Sequence, residues 1–66
     1  MFVNLLDVKI GQRIVMKNQS VAEVVENLGD GILVTGRFLE SPSDPSIVGT
    51  EELCYCEEIL KVLDAV

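Results

Sequence analysis

The 66-residue chain has no His and no Trp, and it holds only one Tyr and two Phe. Each shortage removes a class of function. Without His, a Ser-His-Asp or Cys-His nucleophilic relay in its usual form is excluded. A structural zinc would have to be built from Cys54 and Cys56, the only two cysteines, whereas such a site needs four ligands. With Phe2, Phe38 and Tyr55 as the whole aromatic set, an aromatic cage or a base-stacking platform has too few walls. Basic residues are also scarce, five against eleven Asp and Glu. A protein that grips phosphate backbones concentrates positive charge, so nucleic acid is not an expected partner. No apolar run approaches the roughly 20 residues of a membrane span. No phosphate-binding loop, dinucleotide fingerprint or zinc-protease motif occurs. The opening Met1–Asp7 lacks a basic region ahead of an apolar stretch, so a secretory leader is not expected and the chain reads as cytoplasmic. In that compartment the two cysteines are expected as thiols, and the glycosylation pattern Asn18-Gln19-Ser20 carries no weight.

Aliphatic side chains dominate instead. Hydrophobic residues make up 48% of the chain, chiefly Val, Leu and Ile. So short a chain forms a single domain, 1–66, with a core too small for comfort. Aliphatic area left outside such a core marks an interface, and self-association into a homo-oligomer is expected. The net charge of −6 is unevenly placed. Residues 1–39 balance four acids against four bases, while residues 40–66 carry seven acids against Lys61 alone. The acidic half reads first as a solvated face, and second as a surface that attracts a basic protein or mimics nucleic acid.

Along the chain, Gln12–Lys17 alternates as a strand, with Ile14 and Met16 on one face and Arg13, Val15 and Lys17 on the other. Ser20–Asn27 is rich in β-branched residues and follows a short turn. Gly29-Asp30-Gly31 predicts a tight hairpin, because Asp and Gly tolerate the positive φ that such turns require. Ile32–Leu39 is the next strand, with Ile32, Val34 and Phe38 on one face and Gly36 marking a bulge or bend. Residues 40–49 hold both prolines and form the longest and, by composition, least ordered loop.

The last segment supports two readings. As a helix over residues 50–63, Leu53, Cys56, Ile59, Leu60 and Leu63, continued by Val66, form one stripe, with Thr50 as N-cap. As strands, Glu52–Cys56 and Leu60–Ala65 flank a turn at Glu57-Glu58-Ile59. The stretches VKIGQRIVMK, AEVVENLGDGILVTGRF and CEEILKVLD together resemble a small SH3-like barrel, across roughly residues 8–65. The resemblance implies an all-β fold of about five strands, with a 3-10 turn before the last. The alternative is an α+β fold, an antiparallel sheet with a C-terminal helix over 50–63. In size and style the chain also resembles the small proteins encoded on mobile, integron-type gene cassettes, which implies no activity.

Among candidate chemistries, Cys54 and Cys56 would share a direction on a strand, so two subunits could offer four thiolates to a metal across a two-fold axis. The plainer reading is two small apolar core residues. Their spacing is not that of a thioredoxin-type redox pair. The pairs Glu51-Glu52 and Glu57-Glu58 diverge as chain neighbours and so do not make a facing acid–base dyad. Arg13, Lys17 and Arg37, with Phe38 and Tyr55, form a candidate ligand or partner surface of the kind that Tudor and KOW barrels use. The plasmid-borne dihydrofolate reductase shares this barrel class, but its Val-Gln-Ile-Tyr stretch is absent, so its activity does not carry over. The expectation is a non-enzymatic interaction module that self-associates, with no catalytic residues and no cofactor. The alternatives are an acidic adaptor for a basic protein and an oligomeric enzyme with a shared pore.

Overall fold

The computed structural model describes residues 3–63. They form strands β1 (Arg13–Met16), β2 (Val21–Glu26), β3 (Leu33–Glu40), β4 (Glu51–Tyr55) and β5 (Ile59–Leu63). All five lie in one antiparallel sheet of order β4-β3-β2-β1-β5. A 3-10 turn at Cys56–Glu58 carries the chain from β4 to β5, and another at Pro45–Ile47 interrupts the long loop. The fold is thus all-β, as expected of a small SH3-like barrel with a 3-10 turn before its last strand.

The helix over 50–63 does not form, although its stripe has good periodicity. In a helix, Leu53, Leu60 and Leu63 would be the buried side, yet all three are exposed here, and Cys54 and Ile59 are buried instead. Pairing explains the outcome. Without β4 and β5, β3 and β1 would each keep a row of backbone groups with no partner, and those groups are costly to leave unmade. A terminal helix could cover the sheet but could not supply those bonds.

Alternation places the core on one side of the sheet. Ile14, Met16, Ala22, Val24, Val34, Phe38, Cys54 and Ile59 all point inward and are buried. Ile32, expected on the same face as Val34 and Phe38, precedes β3 and is exposed. Three register shifts bend the strands around this core: between Val15 and Met16 against β5, between Val21 and Ala22, and between Val24 and Glu26 against β3.

The turns hold by side-chain bonds to the backbone. At Asn18-Gln19 the chain reverses with Gln19 at φ 75, and Asn18 Oδ1 accepts from the Ser20 amide at 3.0 Å. The β2–β3 connection, residues 27–32, is longer than the tight hairpin the Gly-Asp-Gly signal suggests. Asp30 Oδ1 accepts from the Ile32 amide at 2.9 Å, and Gly31 takes φ 75. Asn27 links this loop to the segment before β1, its Nδ2 donating to the carbonyls of Leu5 and Val8, each at 2.8 Å. That bolt holds Leu5 and Val8 against the core. The 40–49 loop is likewise tied down: Ser20 Oγ donates to the buried Ser41 Oγ at 3.1 Å, and Asp44 caps the Pro45–Ile47 turn. Among the described residues, no helix is long and apolar enough to cross a membrane.

Candidate functional site

The two cysteines part company in the fold. Cys54 points inward from β4 and has no exposed surface. Burial, reinforced by the negative charges of Glu58 and Glu52, pushes its thiol from an ordinary 9.0 up to about 11, against a smaller opposing pull from the Gly36 backbone. Such a thiol stays protonated and is neither a ready nucleophile nor a ready metal ligand. Cys56 opens the 3-10 turn and is half-buried. It is off the strand, so the alternation that would have aimed both sulfurs the same way does not reach it. Both cysteines are free, and no group of three or more metal-binding side chains comes together among the described residues.

The candidate surface residues separate as well. Phe38 turns inward and is buried, so it is not available at a surface. Arg13 and Arg37 do share the outer face, but strand register sets Glu23 between them. The register continues to Glu51 on one side and Leu63 on the other, giving a row Glu51–Arg37–Glu23–Arg13–Leu63 across all five strands. Signs alternate along this row, as favourable cross-strand neighbours do. Arg37 Nη2 meets Glu51 Oε2 at 2.8 Å, both half exposed, so the pair adds little stability. This is a neutralised stripe and not a basic patch. Lys17 lies past the end of β1, where its amide donates to the Glu58 carbonyl at 2.9 Å. With Met16, Asn18, Glu57 and Glu58 it lines a shallow hollow of about 220 Å³. Lys17 is therefore among acids and away from the two arginines.

Tyr55 is exposed at the end of β4, beside Leu33 of β3. Next along the same face, Leu53 stands beside Thr35. Leu33, Leu53 and Tyr55, with the methyl-bearing Thr35 among them, make a largely apolar strip on the outer face that reaches the margin of the sheet, with Leu53 55% and Tyr55 39% exposed. The acids Glu51 and Glu52 lie at one end of this strip, and Glu57 and Glu58 follow the other. Alternating hydrophobicity alone had not singled out this edge, because the same residues also satisfied a helix. Comparison with protein-family models, with curated proteins and with solved structures finds no match.

Proposed function

We propose that this chain is a non-enzymatic interaction module that self-associates through the outer face of its sheet. The observation that carries this reading is the strip of Leu33, Leu53 and Tyr55, with Thr35 among them, which lies on the face opposite the core and leaves Leu53 and Tyr55 exposed. A face of this kind sheds water by meeting another apolar face. The neighbouring Glu51–Arg37–Glu23–Arg13 row gives it a polar border with both signs of charge. Sedimentation velocity over a range of concentrations tests the idea. The expected result is a concentration-dependent dimer or higher species, shifted to monomer by Leu33→Glu. A monomer at every concentration would overturn it.

A second reading, an adaptor for a basic protein, has its own support. Glu52, Glu57 and Glu58 are exposed, and the only ion pair among the described residues uses Glu51. Binding to a basic partner that weakens steeply with salt would support this reading, and salt-insensitive binding would count against it.

A further inference from the structure

The backbone of β4 is a second, unfilled site. Bonds from the Phe38 amide to the Thr50 carbonyl and from the Cys56 amide to the Ile32 carbonyl fix which β4 residues face β3. Between them the antiparallel ladder alternates, so Glu52 and Cys54 bond to β3. Glu51, Leu53 and Tyr55 therefore aim their amides and carbonyls outward, away from the sheet. The neighbouring strands agree: both backbone groups of Val24 bond toward β1, which leaves the alternate residues of β3 to serve β4. No turn or loop bond reaches Glu51 or Leu53, while the Tyr55 carbonyl, as N-cap, opens the Cys56–Glu58 turn.

Sheet edges are usually blunted by a bulge, a proline or a lysine. The β5 pairing has a register shift and β5 carries Lys61. Strand β4 has no bulge, proline or lysine; its guard is the acid pair Glu51-Glu52, and its register with β3 is unbroken from Glu51 to Tyr55. Charge then selects the occupant. A second copy laid along β4 would bring Glu51, Glu52, Glu57 and Glu58 of both chains to one seam, in a dimer whose subunits each carry −6. A basic segment would meet the opposite sign at both ends and Leu53 and Tyr55 between them.

We infer that β4 accepts an extended, basic segment of a partner protein as a sixth strand, with its aliphatic side chains on the outer face beside Leu53 and Tyr55 and its basic side chains on the other face beside Glu52. Backbone bonds to Glu51, Leu53 and the Tyr55 amide supply the affinity, and the flanking acids supply selection and speed of encounter. This inference rests on the basic-partner reading above and adds to it a site and a mode of binding. The added strand lies beside β4 in the plane of the sheet and leaves the outer face free.

The test uses a capped, fluorescent heptapeptide of alternating lysine and valine, followed by anisotropy at low salt. Two further versions carry N-methyl groups on alternate amides, one on the set facing β4 and one on the set facing away. Binding is expected for the parent peptide and for one N-methylated version, with about tenfold or greater loss for the other. Leu53→Pro removes an outward amide where an edge strand can tolerate its loss, and should weaken the parent peptide to a similar degree. Equal binding of all three peptides would overturn the edge site and leave the basic-partner reading standing as diffuse electrostatics. No binding at low salt would overturn both. If Leu53→Pro left peptide binding intact, the β4 edge would not be where the peptide binds, and the inference would fail.

Discussion

A methyl group added at Gly36 would sit 3.0 Å from Ala22 Cβ and 3.1 Å from Cys54 Sγ. Both neighbours are buried and have nowhere to retreat. Gly36 is therefore a glycine of close packing: β3 must pass under two inward side chains. We expect Gly36→Ala to destabilise the protein by about 1–3 kcal/mol. Because Cys54 Sγ is half of the clash, Gly36→Ala together with Cys54→Ala should cost less than the sum of the two single changes, measured by urea unfolding. Strict additivity would place the strain elsewhere. The same thiol predicts a pH effect. Unfolded, Cys54 ionises near 9.0, whereas folded it holds its proton up to about 11. Above pH 9 the unfolded state therefore binds fewer protons and gains, so stability falls as pH climbs toward 11, by at most about 2–3 kcal/mol. Comparing unfolding at pH 7 and pH 10 should show a shallower loss in Cys54→Ala than in the parent. An identical loss would mean that other groups carry the effect.

Between strands, the segment before β1 depends on one amide. Asn27 Nδ2 serves the Leu5 and Val8 carbonyls, and its Oδ1 accepts from the Gly29 amide at 2.9 Å. Asn27→Ala would remove all three bonds, at a cost of about 1–3 kcal/mol. Hydrogen exchange should then show faster opening around residues 5–8, with the β2–β3 ladder much less affected; uniform acceleration would argue against a local bolt. Nothing in the sequence pattern announced this role, because Asn27 reads as ordinary turn composition and its partners lie far back in the chain. Other elements were legible. Ile14 and Met16 against Arg13 and Val15 gave the inner and outer faces of β1, and Val34 and Phe38 gave those of β3, because a period of two is local information. Glu51–Leu63 was not legible as one thing, since Leu53, Cys56, Ile59, Leu60 and Leu63 satisfy the helical period as well. The need of β1 and β3 for partners decided it, and that need is a property of the sheet and not of the segment. The surface set failed for a similar reason: Arg13 and Arg37 do share a face, but only the cross-strand register reveals Glu23 between them.

The molecule as a whole repels its own copies, since each carries −6. Self-association through the outer face must therefore strengthen as salt screens that repulsion, while binding of a basic segment at β4 must weaken. Opposite salt slopes for the two processes, read by sedimentation and by anisotropy, would separate them without any mutation; parallel slopes would mean that one surface does both. The strand order has a further consequence for how the chain is made. Strands β1 to β4 join as successive neighbours, but β5 returns across the molecule to pair with β1. During synthesis, β1 can form its hairpin with β2 while its other side waits for Ile59–Leu63 to emerge. For that interval the growing chain offers two open edges, β1 and β4, and β1 carries the core residues Ile14 and Met16. Arrival of Ile59–Leu63 closes β1 and passes the exposed position to a strand that carries Lys61 and a register break. The segment translated after the other four strands is thus the one that removes β1 from the edges open to pairing with a stranger.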